Sequence, residues 1–197
     1  MKPYHVRPTH IDRIVARQVA AHSGLLTEEM ANRLTWTADE HVLVAGAVGA
    51  WVLATVGKSK LQPAATHLLL AMIASAAAPH LLKRYVDQTR PDRTTAFGHI
   101  RGIPISGKAH DAFPSGHALH MGALASMATA LPVRYRNAVW AVTGSLAATR
   151  VVLMAHWLSD VVVGFALGIA IERGIRRVTD YPDPAVEQMT GPGQRHE

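Results

Sequence analysis

Five apolar runs, almost free of charge, constrain this chain more than any other feature of its sequence. His41 to Gly57 contains no Lys, Arg, Asp or Glu and is closed by Lys58, Ser59 and Lys60. Ala64 to Leu82 ends abruptly in Lys83-Arg84, and Ala118 to Leu131, Ala138 to Thr149 and Trp157 to Ile171 follow. A helix of about 17–25 residues crosses a hydrocarbon layer ~30 Å thick, and within that layer every backbone polar group has to be bonded inside the segment. The runs therefore predict an all-α fold, an integral membrane helical bundle with about five transmembrane helices. The last three runs are short and have to extend into their flanks to cross. Pro79 is expected to kink the second span. Trp36, Trp140 and Trp157 fall near segment ends, as interfacial tryptophans do. Small residues four apart, Gly46/Ala50, Gly122/Ser126 and Gly164/Gly168, permit close helix contact. The competing reading, a soluble Ala-rich helical protein, is disfavoured by the succession of charge-poor runs.

The ends have a different character. In residues 1–35, Ile11, Ile14, Val15, Val19, Leu25 and Leu26 recur near helical spacing with Arg13, Arg17 and Gln18 between them, which predicts an N-terminal amphipathic helix. Two placements stay open for it, in the membrane interface or packed on the bundle. Residues 178–197 form a polar tail, leaving 38–175 as the helical core of a single domain, 1–197. The first apolar run lacks a signal's cleavage pattern and is expected to stay. With no cysteine, disulfides, thiolate zinc sites and cysteine nucleophiles are excluded. The 20 Lys+Arg against 14 Asp+Glu point to anionic lipid and charged loops rather than nucleic acid, because the basic residues are dispersed and no aromatic-rich basic platform exists.

Three polar clusters carry the chemistry. Lys83, Arg90 and Pro91 stand at the exit of the second span, where basic residues are common. In Pro114-Ser115-Gly116-His117, Ser115 can cap the following helix and Gly116 lets a ligand approach the backbone. The N-terminus of that helix offers free amides to an anion. Arg150, His156 and Asp160 form the third cluster. His156 and Asp160 are four apart, so on one helix the carboxylate can hold one ring nitrogen and leave the other free to attack. The bland alternative is an Asp160 that merely satisfies a buried histidine. An ionisable pair beside lipid is costly and is more often functional.

Taken together, K-x6-RP, PSGH and R-x5-H-x3-D resemble the three-part signature of the type 2 phosphatidic acid phosphatase family, the PAP2 superfamily. The resemblance runs from Lys83 to Asp160. It departs at Thr149, where Ser usually precedes the arginine, and at the N-terminus, where an amphipathic segment stands in place of the first of six spans. The resemblance implies a membrane phosphatase acting on a lipid phosphate without metal or other cofactor. His156 would attack phosphorus to form a phosphohistidine, Asp160 would orient its ring, and His117 would protonate the leaving oxygen and then activate water. Lys83, Arg90 and Arg150, with the Ser115 hydroxyl and Gly116 amide, would bind the phosphate oxygens. With five spans, all three motifs fall on one face of the membrane.

Other signals are weaker. Gly102 to Lys108 mimics the start of a P-loop, but Ala109 replaces the required Ser/Thr. His41, His67, His80, His99, His110 and His120 have no recognised ligand spacing and read as hydrogen-bonded or interfacial histidines. His120, one turn beyond His117, stands nearest the chemistry. Asp87, Asp92, Arg93, Arg101 and Asp111 read as a solvated loop that could shape the headgroup pocket. Two competing functions remain: a vanadium-dependent haloperoxidase-like enzyme and a non-catalytic anion-binding membrane protein. With the N-terminal segment set aside, the non-motif cations favour an extracytoplasmic site: Lys58, Lys60, Arg134, Arg136, Arg173, Arg176, Arg177 and Arg195 lie opposite it, against Arg84, Arg93, Arg101 and Lys108 on its own face.

Overall fold

The computed structural model describes residues 3–93, 110–179 and 181. The N-terminal segment is two helices rather than one, α1 (His10–His22) and α2 (Leu25–Thr35), broken at Ser23-Gly24. Thr9 starts α1 through a capping box: its hydroxyl accepts from Asp12 N at 3.1 Å, and its own N–H donates to the Asp12 carboxylate at 2.8 Å. Both helices pack on the bundle. Ala16, Val19 and Ala20 lie against Ala112, Met154 and Trp157, and Ala31 lies against Leu153 and Ala155. The small residues face inward, while Ile11, Ile14, Leu25 and Leu26 stay exposed. Asp12 is buried and accepts from both the N–H and the hydroxyl of Ser159, at 2.8 Å each. Burial raises its carboxyl, and the bonds from Ser159 and Thr9 outweigh that effect and hold it below the ordinary value.

The five apolar runs each fall in a helix: α3 (Glu40–Val56), α4 (Gln62–Leu82), α5 (Gly116–Met127), α6 (Val133–Val152) and α7 (Leu158–Thr179). Among the described residues, only Leu25–Val56 and Gln62–Leu82 are long and apolar enough by themselves to cross a membrane. The count of five spans is therefore not carried by length and hydropathy. The reason lies in α5, which is 12 residues long and buried from Ala118 to Ala123, and in the charges that α6 and α7 bear at their ends. The fold also holds one small parallel strand pair, β1 (Tyr4–His5) with β2 (Val86–Asp87), so it is helical with a minimal β element rather than purely α. The Gly102 to Lys108 stretch, His99, Arg101, and most of both the Pro91 to Pro114 loop and the polar tail lie outside the described residues.

Backbone contact between α5 and α7 sets the centre of the bundle. A Cβ on Gly168 would stand 1.9 Å from the Leu119 carbonyl oxygen, one on Gly122 would stand 2.0 Å from that of Phe165, and one on Gly164 would stand 2.6 Å from that of Ser115. Glycine is required at all three because backbone cannot yield as a flexible side chain can. The Gly46/Ala50 pair does not repeat this, since nothing lies within 4 Å of a Gly46 Cβ. Trp157 departs from the interfacial pattern too: it is 2% exposed, and its indole N–H donates to the Thr89 carbonyl at 2.7 Å. Trp36 is exposed, as an interfacial residue would be. Gly168→Ala is expected to cost at least ~1–3 kcal/mol through overpacking, and Gly46→Ala to stay within ~0.5 kcal/mol of wild type. Thermal midpoints in detergent would check this, and equal midpoints for the two variants would contradict it.

Candidate active site

Four helix ends meet on one side of the bundle, those closing α4 and α6 and those opening α5 and α7. Ser115 N donates to the Asp160 carbonyl at 3.2 Å, which ties the starts of α5 and α7 together. Ser115 is the N-cap of α5, and its hydroxyl accepts from Ala118 N at 3.4 Å. Gly116 opens the helix over Pro79 of α4, 3.6 Å from where its Cβ would stand. An anion placed here meets the positive end of a helix.

The cations arrive from three directions. Lys83 caps the end of α4, and the chain turns through β2 to bring Arg90 back beside it. Asp111 gathers both: Arg90 donates from Nε and Nη2 to Oδ1 at 2.8 Å each, and Lys83 Nζ is 3.7 Å from Oδ2. Arg90 Nη1 also donates to the Ala155 carbonyl at 3.2 Å, joining the first motif to the third. Arg150, in the last turn of α6, donates from Nη1 to Thr35 Oγ1 of α2 at 3.1 Å. Its Nε is buried and has no acceptor among the described residues, which leaves that N–H available to a phosphate oxygen. Burial pushes Lys83 below the ordinary lysine value, with Asp111 opposing the shift.

His156 is 4% exposed and sits in the turn between α6 and α7. Its Nδ1 is 2.6 Å from the Ala112 carbonyl oxygen. A carbonyl only accepts, so Nδ1 carries the proton and Nε2 holds the lone pair. This corrects the expectation drawn from the spacing. His156 precedes α7, which begins at Leu158, and is not on one helix with Asp160. Its Nδ1 is 3.8 Å from Asp160 Oδ2, beyond hydrogen-bond reach. That oxygen instead accepts from Trp157 N at 2.9 Å. Ala112 orients the ring, while Asp160 lies beneath it as a buried carboxyl. Burial pushes His156 well below the ordinary histidine value, and Arg90, Arg150 and Lys83 push the same way. The ring is therefore neutral at physiological pH, as a nitrogen nucleophile has to be.

His117, the second residue of α5, lies within electrostatic reach of Arg150, Asp39, His120 and Arg90. His120, one turn deeper, is fully buried and has its Nδ1 2.9 Å from the Gly116 carbonyl. Thr149 contributes nothing to the site directly, because its hydroxyl turns back to the Leu146 carbonyl at 2.6 Å. Every residue the motifs nominate thus gathers at the four helix ends. Sequence reasoning missed three supports. Asp111 read as a solvated loop residue, and Ala112 and Thr35 carry no signal, since one acts through its backbone and the other from outside the motifs. A second buried polar cluster lies about 18 Å along α7 from Asp160, where Glu172 accepts from Arg176 Nη2 at 2.6 Å and lies 3.0 Å from His67 Nε2. It explains His67 as a buried structural histidine.

A neutral, oriented histidine beside three cations at the ends of four helices defines a helical-bundle protein built to handle an anion. The PAP2 superfamily matches residues 64–183, more than half of the chain, and the chain belongs to that superfamily. Relatives named Lipid A 1-phosphatase, from Rhizobium johnstonii and Rhizobium etli, are each 38% identical over 103 residues, 52% of this chain and 42% and 44% of theirs. The matched region thus spans less than half the length of those relatives. Among solved structures, Aquifex aeolicus LpxE superposes with a TM-score of 0.62 at 15% identity, covering 86% of this chain and 96% of that one. The first transmembrane PAP2-type phosphatidylglycerolphosphate phosphatase from Bacillus subtilis superposes with a TM-score of 0.67 at 18% identity, covering 88% and 86%. At these identities the likeness establishes the fold alone.

Proposed function

We propose that residues 1–197 work as a single-domain, metal-independent phosphatase of the cytoplasmic membrane, hydrolysing a phosphate monoester or diphosphate of a membrane lipid through a phosphohistidine. The observation that carries this reading is the Nδ1–H bond from His156 to Ala112 at 2.6 Å, because it leaves Nε2 unprotonated on a ring within electrostatic reach of Arg90, Arg150 and Lys83. In the first step the Nε2 lone pair forms a bond to phosphorus and the P–O bond to the lipid breaks. The leaving oxygen takes its proton from His117. The negative charge of the bound phosphate offsets Arg90, Arg150 and Lys83, and so favours a protonated His117 at that moment. In the second step a water attacks phosphorus, gives its proton to His117, and the P–N bond breaks.

Lys83, Arg90, Arg150, the Ser115 hydroxyl and the Gly116 amide hold the oxygens on which charge is spread in the transition state. Asp160, 3.8 Å from Nδ1, supports the positive charge that develops on the phosphorylated ring. These cations stabilise the transition-state charge in the way a metal ion would elsewhere, so the step requires none. The relatives' name supports the 1-phosphate of lipid A as the first substrate to assay. The bilayer holds the acyl chains, with five helices spanning it and α1–α2 docked at the site face. The distribution of cations supports an extracytoplasmic site.

Phosphate release from lipid A 1-phosphate and phosphatidate in detergent is expected to continue in EDTA and to fall at least about 10³-fold in His156→Ala. Full activity in the variant would remove His156 as nucleophile, and loss of the wild-type rate in EDTA would remove metal independence. Orientation has its own check. A cysteine at Tyr85, which is exposed beside the site, is expected to react with an impermeant maleimide added outside intact cells, and protection there would place the site inside.

A further inference from the structure

The N-terminal helices carry an outward surface that the site does not use. At about 100° per residue, α2 divides into three sides. Glu28, Ala31 and Thr35 are buried on the bundle. Leu26, Met30 and Leu34 recur every four residues along one flank and are 71%, 55% and 48% exposed. The opposite flank carries Glu29, Asn32 and Arg33, all exposed, with Arg33 donating to Glu29 at 2.6 Å. On α1 the division is looser: Asp12 and Ala16 are buried, Ile11 and Ile14 lie to one flank, and Arg13 and Arg17 lie toward the other. A surface helix in water needs two sides, one buried and one polar. A third, apolar side calls for apolar surroundings of its own.

The chain that follows α2 supplies them. Leu25–Val56 is a helical stretch of 32 residues. As one straight helix it would be ~48 Å long, well beyond a hydrocarbon layer ~30 Å thick. It is broken at Asp39, whose backbone is extended (φ −67°, ψ 137°) and whose side chain caps α3. At ~26 Å, α3 takes up most of the layer by itself, and its Val42, Val48, Val52 and Leu53 are exposed. That leaves α2 at the edge of the hydrocarbon on the site side. Only the turn Trp36–Ala38 and Asp39 separate it from α3, and Trp36, 71% exposed, is the residue type that settles at this level.

We infer that α1 and α2 are a membrane-seating element: Leu26, Met30 and Leu34, with Ile11 and Ile14, enter the leaflet on the site side, while Glu29, Arg33, Arg13 and Arg17 face headgroups and water. The inference rests on the membrane reading of the chain and, for its consequence, on the lipid-phosphatase reading. The seating sets the depth of the site. Asp12 of α1 holds the start of α7 through its two bonds from Ser159, and Thr35 of α2 accepts from Arg150. Helices lying in the interface thereby keep the phosphate-binding groups at headgroup level. A lipid phosphate is met there with its acyl chains still in the bilayer.

The chain contains no cysteine, so single cysteines carrying a small fluorophore report one position each in the full-length protein, reconstituted in vesicles of phosphatidylcholine and phosphatidylglycerol. Labels at Leu26, Met30 and Leu34 are expected to be quenched by acyl chains brominated just below the headgroup and spared by aqueous iodide, with the reverse at Glu29 and Arg33. Quenching of the Met30 label by iodide would place the row in water, and quenching by neither agent would place it under another protein surface; either result overturns the inference. These readouts need no turnover, so they stand apart from any failure of the phosphatase reading. Leu26→Asp combined with Met30→Asp, both at exposed positions, is expected to abolish lipid quenching at Leu34. The same variant is expected to lower hydrolysis of a vesicle-held lipid phosphate by about tenfold, the worth of burying one such side chain. A short-chain, water-soluble lipid phosphate is expected to be hydrolysed within about twofold of the wild-type rate. Equal losses on the two substrates would overturn the role in setting depth.

Discussion

The close approach of α5 and α7 is the constraint from which the rest of the structure follows. With Gly122, Gly164 and Gly168 at the crossing, backbone meets backbone, and the starts of the two helices are held in one register. Ser115 N then reaches the Asp160 carbonyl at 3.2 Å. The cap of α5 and the buried carboxyl of α7 become neighbours, and the turn carrying His156 is drawn over the positive end of α5. A side chain at any of these glycines would part the helices and separate the N-terminus of α5 from the start of α7.

Around that axis the chain assembles a concentration of like charge that would be unfavourable without support. Arg90 and Lys83 share Asp111, Arg150 leans on Thr35, and Ala112 and Ala155 offer carbonyls to His156 and Arg90. The supports come from three separate segments, at Thr35, at Asp111 with Ala112, and at Ala155, so the site forms only when these are brought together. Burial keeps His156 neutral and the same cations push the same way, so the charges that would meet a bound anion also hold the proton off this ring. The two N-terminal helices take part through Thr35 and through the Asp12 bonds to Ser159, one residue before Asp160.

Much of this was legible in the residues. The charge-poor runs placed α3 to α7, and the Gly122/Ser126 and Gly164/Gly168 spacing permitted close helix contact without saying which helices meet. The side chains the three motifs named all lie at the helix ends. What escaped was whatever acts through backbone or over long separations. Spacing alone put His156 and Asp160 on one helix, because a four-residue gap looks identical whether the first residue lies inside the helix or in the turn before it. Trp157 read as interfacial from its position at a run's edge, while its burial depends on Thr89 and α1. Gly46 and Ala50 matched the small-residue pattern without a helix opposite them. Asp111 looked like any loop carboxylate until the fold set it between Lys83 and Arg90.

The central claim is that the bond to Ala112 commits Nδ1 of His156 to its proton and leaves Nε2 as the atom that accepts phosphorus. The most direct measurement is to trap the phosphoenzyme at alkaline pH after brief exposure to a lipid phosphate, locate the phosphorylated residue by mass spectrometry, and assign the ring nitrogen by phosphorus and nitrogen NMR. Phosphorus on Nε2 of His156 is the predicted result. Phosphorus on Nδ1, or on any other residue, would contradict it.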